Sequence, residues 1–395
     1  MSGYTVQRRV THSADVVIIG GGIVGSSIAY QLTKAGCRNV VVLERESHQG
    51  KGSTGKSMGG VRAQFSTESS IKMSLFSIPF LRDFEQTMGH PSGYRAQGYL
   101  LLATNDRHMG YLRANVRIQT AAGLDAVRIV STDDIVRIVP QLRSDDIVGG
   151  TFCSIDGFVD PYSVMTGFTL RAVDQGAQVF RDAEVTAIDR DETGVTAVHS
   201  TQGSFATRIV VNAAGAWAAQ IAKMVNLDLP VEPLRRMLVP TEPFEKISHG
   251  APMTIDLSTG FHFRPEGLGL LMAWADPEEK SSFNTNFDRA FVEKVLTLGV
   301  SRVPVLEEVA VNPSRAWAGL YEMSPDHHPI LGAATGIGGF FLANGFSGHG
   351  VMHSPATGKI LADLILTGST DLIDAKLLDY NRFAEGRMIH ETAVF

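Results

Sequence analysis

Cysteine is scarce in this chain. Cys37 and Cys153 are the only two in 395 residues, too few for a disulfide framework, and they read as reduced thiols in a reducing compartment. No Lys/Arg-rich block is present, and a net charge of −6 argues against nucleic acid as a partner. Long apolar runs are missing as well. The longest suspicious stretch, Val16–Tyr30, is uncharged but short for a membrane span and broken by Gly20, Gly21, Gly22 and Gly25. Met1–His12 carries Arg8 and Arg9 without an apolar core like that of a secretion signal, so a cytoplasmic protein with no membrane span is expected. A metal is not expected either. His327 and His328 follow Asp326, but adjacent residues in an extended segment point apart, and no third ligand sits at metal spacing.

What is present describes an ordinary globular chain, with 44% hydrophobic and 19% charged residues. Its 40 glycines cluster in a few short loops, as backbone requirements do. The length favours two intimately joined domains. Ala14–Ile19 (ADVVII) and Val40–Leu43 read as buried strands flanking a helix over Ile23–Ala35. Ser66–Met88 reads as a helix capped by Ser66 or Thr67, which Pro79 kinks or shortens. A strand at Tyr94–Ala103 and a helix at Arg107–Ala122 follow, then a short helix with Ser131 and Asp134 in capping-box spacing. Residues 231–320 are mostly alternating strands, interrupted by a helix near Phe287–Ser301. A last strand, Phe340–Ala343, leads through a glycine loop into the final helix. The expected fold is α/β: a Rossmann-like FAD-binding domain interleaved with a substrate domain on a mixed, largely antiparallel sheet. The expected boundaries are 12–90, 140–228 and 325–385 for the first, and 91–139 and 229–324 for the second.

The cofactor assignment begins at Gly20-Gly21-Gly22-Ile23-Val24-Gly25, a G-x-G-x-x-G. Alone it is weak, but here it follows a strand, opens a helix and is followed by Glu44 at the end of the next strand. Gly20 permits the tight turn, Gly22 lets backbone approach a pyrophosphate, and Gly25 allows close helix–strand packing. Glu44 suits a ribose diol, and its charge would repel a 2′-phosphate. The plain alternative is a βαβ unit without nucleotide. Two further glycine loops, Gly50–Arg62 and Gly345-Phe-Ser-Gly-His-Gly350, favour an extended flavin over a nicotinamide. The last helix would aim its positive end at the pyrimidine edge of the ring.

GSTGKSMGGVRAQFS (Gly52–Ser66), RAWAGLYEMSPDHHPILG (Arg315–Gly332) and NGFSGHGVMHSPATG (Asn344–Gly358) resemble the D-amino-acid oxidase superfamily of flavoproteins. Within it, the chain is most similar to the branch of sarcosine oxidases, dimethylglycine dehydrogenases, glycine oxidases and dye-linked proline dehydrogenase catalytic subunits. The resemblance implies FAD contacts at Ile23, Val24, Arg45, Gly52, Ser53 and Thr54, and again at Gly59, Gly60 and Arg62. It extends them to Val185, Ala214, Gly215, Trp217 and Gly319, and to Gly345, Gly348, His349, Gly350, Val351 and Met352. Arg62 is the implied holder of a substrate carboxylate, for which a guanidinium fork is suited; a structural arginine is the alternative. Tyr321 and His262 match cavity-lining positions, and either His262 or Arg264 would be a second anion contact.

Two departures from the family stand out. Relatives with covalent flavin use a cysteine near the position of Gly319 or a histidine near that of Lys56, so noncovalent FAD is expected. Lysines that monomeric sarcosine oxidases use are also missing, at Met352 and in Leu270–Trp274, which leaves O2 or another electron acceptor open. The resemblance implies hydride transfer from a small carboxylated secondary or tertiary amine to flavin N5. Sarcosine, dimethylglycine, iminodiacetate and proline are the substrate class. A flavin 2-hydroxy-acid dehydrogenase with His262 as base, or a non-catalytic flavin-stabilised assembly protein, are the alternatives. A homo-oligomer or a partner subunit is compatible with the sequence.

Overall fold

Val16–Ile19 and Val40–Leu43 are buried at every position. In the computed structural model, which describes residues 12–393, their alternate side chains feed two different cores. Val16, Ile18, Val40 and Val42 face helices, whereas Val17, Ile19, Val41 and Leu43 face a second layer of strands. A parallel strand covered on both faces has to be apolar throughout, which explains the β-branched runs.

These strands lie in a six-stranded sheet ordered Ile330–Ala333, Phe340–Asn344, Val210–Asn212, Val16–Ile19, Val40–Leu43 and Gln178–Phe180. All neighbours are parallel except the first pair. Helices Ile23–Lys34, Pro161–Asp174 and Gly350–Thr367 cover one face. A four-stranded layer containing Val185–Asp191, Gly194–Ser200 and Gly203–Ala206 covers the other. Gly358 lets helix Gly350–Thr367 lie close against helix Ile23–Lys34: a Cβ there would lie 2.3 Å from Ser27 Oγ.

The second domain is an eight-stranded sheet running Trp317–Met323, Glu232–Pro240, Gly269–Ala273, His262–Glu266, Met253–Asp256, Tyr99–Ala103, Gly149–Cys153 and Val127–Val130. Only Met253–Asp256 beside Tyr99–Ala103 is parallel; the other pairs are antiparallel. Met237, Val239, Phe261, Phe263, Leu270 and Met272 point to the face packed on helix Ala290–Arg302. Leu238, Leu271 and Ala273 point to the opposite face, with Met58 and Trp317. That second face looks toward the domain of the six-stranded sheet.

The structure adjusts several sequence expectations. Ser66–Met88 is two helices, Glu68–Arg82 and Phe84–Met88, parted at Asp83 one turn beyond Pro79. Thr67 is the N-cap residue, but its hydroxyl donates to Glu391 Oε2 (2.7 Å) instead of closing the helix end. The Ser131–Asp134 capping box forms. Gly149–Cys153, within a segment assigned by sequence to the nucleotide domain, is a strand of the eight-stranded sheet. Cys37 and Cys153 are free thiols. Among the described residues no helix is long and apolar enough to cross a membrane, and no group of three or more potential ligands is placed to hold a metal.

Candidate active site

A long cleft runs from the first glycine turn to the inner face of the eight-stranded sheet. Gly20, Gly22, Ile23, Val24, Glu44 and Arg45 line its first end. Gly20 adopts φ 108°, and a Cβ there would lie 2.3 Å from Ala213 O, so only glycine makes this turn. Gly25 does not reach the wall. Its missing Cβ would lie 2.0 Å from Gly20 O, so its place is in the close packing of helix on turn. Glu44 Oε2 accepts from Gly21 N (2.9 Å) and Oε1 from Glu46 N (3.0 Å). Burial raises its pKa against the pull of these bonds, and each oxygen retains acceptor capacity for a diol. Arg45 lies over the Trp217 ring at 3.7 Å, closing the wall beside Ala214 and Gly215. Val185 joins the wall from the four-stranded layer.

The second glycine stretch fastens the two domains together along the cleft. Thr54 Oγ1 accepts from Ile23 N (3.0 Å), and Ser53 Oγ donates to Leu320 O (2.6 Å). Gly52, Ser53, Thr54 and Gly319 line the wall; a Cβ on Gly319 would meet Lys56 Cβ at 2.6 Å. Further along, helix Gly350–Thr367 begins without a side-chain cap and brings Gly348, Gly350 and Val351 to the wall. Gly348 has φ 97°, and a Cβ there would lie 2.4 Å from the Tyr321 ring. Glu322 holds this loop by accepting from Gly345 N (3.0 Å) and Phe346 N; burial pushes its pKa up to about 8, so it is largely neutral at pH 7.

The far end is built by strand register. Arg236 stands opposite Gly319 and Leu234 opposite Tyr321, while Leu238, on the same strand as Arg236, is aligned with Ala273 and His262 on the next two strands. Side chains at these positions share one face, and Arg236, Leu238, His262, Ala273 and Tyr321 all line the cleft, with Met58 and Trp274 beside them. His262 is neutral because burial lowers its pKa. Its Nδ1 lies 3.0 Å from Gly260 O, which can only accept; Nδ1 therefore carries the proton and Nε2 is left as an acceptor. Burial also raises the Tyr321 phenol, which stays protonated.

Some sequence-derived residues are not on the wall. Arg62 is 4% exposed. Its guanidinium donates to Gln64 O (2.5 Å) and Ala393 O, lies 3.9 Å from the Phe65 ring, and approaches His349 Nε2 at 3.4 Å. The chain turns inward there because Ala63 N and Gln64 Nε2 both donate to buried Asp156. Arg264 shares the face of His262 but is engaged by Met58 O, Pro265 O and Glu266. Gly59, Gly60, Gly345, His349 and Met352 sit behind the wall. His349 is neutral and packed edge-on to Phe65, and Met352 belongs to the helix-covered core. Sequence reading missed Arg236, although one signal was available: a cation between Leu234 and Leu238 on the same face of a strand.

Two helix N-termini whose N-cap residues supply no side-chain cap, glycine backbone at the first of them, and a half-buried carboxylate beside it fit an extended flavin dinucleotide. The class defined by this fold and cleft is the flavin-dependent oxidoreductases. Residues 15–364 match the family model of FAD dependent oxidoreductases (DAO), and the chain belongs to that family, whose cofactor is FAD. It is 31% identical over 416 residues to FAD-dependent oxidoreductase domain-containing protein 1 of Xenopus laevis, covering 94% of this chain and 82% of that protein. Mitochondrial dimethylglycine dehydrogenase of Rattus norvegicus is 30% identical over 94% of this chain, which spans 45% of that protein's length. The crystal structure of L-proline dehydrogenase from P. horikoshii superposes with a TM-score of 0.89 at 28% identity, over 96% of this chain and 100% of that one. The chain is thus an FAD-dependent oxidoreductase related to amino-acid-oxidising enzymes.

Proposed function

We propose that the protein oxidises the C–N bond of a small secondary or tertiary amino acid, an N-substituted glycine such as sarcosine, dimethylglycine or iminodiacetate, or proline. The observation that carries this reading is the far end of the cleft, where a neutral acceptor (His262), an aromatic wall (Tyr321) and a cation (Arg236) converge. FAD, when bound, supplies at N5 the acceptor for a hydride leaving the carbon next to nitrogen. Loss of that hydride from the neutral amine leaves an iminium cation, and water adds to its carbon and releases the amine and a carbonyl compound.

The chain's own residues bind and orient. His262 Nε2 accepts from the N–H of a secondary amine such as sarcosine or proline, a contact that a neutral tertiary amine does not make, and the ring of Tyr321 flanks the reacting carbon. Met58, Leu238, Ala273 and Trp274 exclude water, and positioning of this kind supplies a large share of the rate. A neutral amine needs no side-chain base to lose hydride. FAD is held noncovalently in this reading, since Gly319 offers no side chain and Lys56 is not a histidine. O2 or another carrier takes the electrons, and the two free thiols fit a reducing, cytoplasmic setting.

The test is anaerobic mixing of the yellow holoprotein with the four amino acids and with 2-hydroxy acids, following the visible flavin band. Bleaching by an amino acid supports the reading. Bleaching by hydroxy acids alone would favour the second reading, in which His262 Nε2 takes the hydroxyl proton. Bleaching by neither would point to a non-catalytic assembly protein.

A further inference from the structure

We propose that Arg236 is the anion anchor of the cleft and receives the carboxylate of the substrate. The inference rests on the amino-acid reading above and names the residue that makes it specific. Arg236 is half-buried on the cleft wall, with its guanidinium carbon 5.4 Å from the Tyr321 ring centroid. Its Nη1 donates to Arg235 O (3.1 Å), while its Nε is buried and, among the described residues, has no hydrogen-bond partner.

Other arginines of this domain are matched to acids. Arg235 pairs with Glu279 (2.9 Å), Arg264 with Glu266, and Arg302 with Asp256 (2.8 Å) and Asp146. The acids that act on Arg236 from a distance are already engaged, Glu279 by Arg235 and Asp276 by Lys294 (3.0 Å). Among the described residues no carboxylate pairs with Arg236. Its wall neighbours His262 and Tyr321 are neutral, and burial keeps Glu322 largely neutral despite the backbone amides that donate to it. The site therefore presents a half-buried, partly desolvated cation with an unpartnered Nε and, among the described residues, no paired carboxylate, a deficit that an incoming carboxylate meets.

Arg62 offers the opposite case. Two backbone carbonyls and a phenyl ring occupy its guanidinium away from the wall.

The test titrates holoenzyme with acetate, and with acetamide as the uncharged control, reading the flavin difference spectrum. Acetate should perturb the wild-type flavin and acetamide should not. Arg236→Gln should raise the acetate Kd at least about tenfold with flavin content unchanged. Arg236→Lys keeps the charge but loses the fork and should fall between the two. The lysine variant carries the test if the glutamine variant loses flavin. Equal acetate affinity in wild type and both variants, or no acetate binding to wild type, overturns the anchor. The two proposals fail separately. If no amino acid bleaches the flavin while acetate binding still depends on Arg236, the amine reading falls and the anchor stands. If amino acids bleach wild type and Arg236→Gln equally fast, the anchor falls and the amine reading stands.

Discussion

The two ends of the cleft are made in different ways. The nucleotide end is mostly backbone: a glycine turn, a helix that starts from a glycine N-cap, and one carboxylate, all within Gly20–Glu44. The far end, where we propose the substrate binds, is side chains delivered by strands that lie far apart in the sequence, Arg236, His262 and Tyr321, brought onto one face by sheet register. The first depends on what is absent at each Cα, the second on what is present. Damage at the first end should therefore act through cofactor occupancy, and damage at the second through selectivity with the cofactor retained.

The largest expected effect breaks the backbone end. Gly22→Leu would place a branched side chain in the cleft, where Gly22 now has only Thr54 Oγ1 near its missing Cβ, at 3.2 Å. The purified variant should be colourless, with the ratio of flavin to protein absorbance near zero. Yellow protein of wild-type stoichiometry would show that the turn is not where the pyrophosphate lies.

A second substitution sharpens the contrast between the two arginines. Arg62→Ala leaves the carbonyls of Gln64 and Ala393 without their donor and uncovers the Phe65 ring, a loss of about 2–4 kcal/mol of stability. It should lower Tm by several degrees without changing the relative rates on carboxylated and uncarboxylated amines. A selective loss on carboxylated amines would move the anchor from Arg236 to Arg62.

The smallest expected effect concerns Glu322, which joins the two ends. Its folded pKa, about 8, lies above the ordinary 4.5 because of burial. Between those values the folded chain keeps a proton that the unfolded chain has lost, so stability falls as pH rises through this window. Glu322→Gln keeps an acceptor for Gly345 N and abolishes the titration. Relative to wild type, the variant should gain about 2 kcal/mol between pH 6 and pH 8 in denaturant melts. Parallel pH profiles would mean that Glu322 is already ionised in the fold.

The same contrast explains what could be read from the sequence. The first glycine turn, Glu44 and the flanking strands were legible because their roles depend on spacing within about 30 residues. Ser131 and Asp134 were legible for the same reason. Arg62 was placed near substrate by resemblance, whereas its surroundings depend on Asp156 and on residues near Ala393, contacts no local pattern announces. Arg236 went unnoticed because its importance comes from register with Gly319 and Tyr321. Gly149–Cys153 is a strand of the distant sheet through pairing with Tyr99–Ala103, again a nonlocal fact.

The strand order of the nucleotide-binding sheet also sets a timetable for synthesis. Val210–Asn212 lies between Val16–Ile19 and Phe340–Asn344. About 130 residues separate Asn212 from Phe340, and at ribosomal speeds they take on the order of ten seconds to appear. During that interval the open edge of Val210–Asn212 has no partner strand, and Ser27 and its helix await Ser354 and Gly358. The cleft likewise lacks Gly319, Tyr321 and the last helix N-terminus. A stalled or truncated chain presents an apolar sheet edge that invites association with other chains.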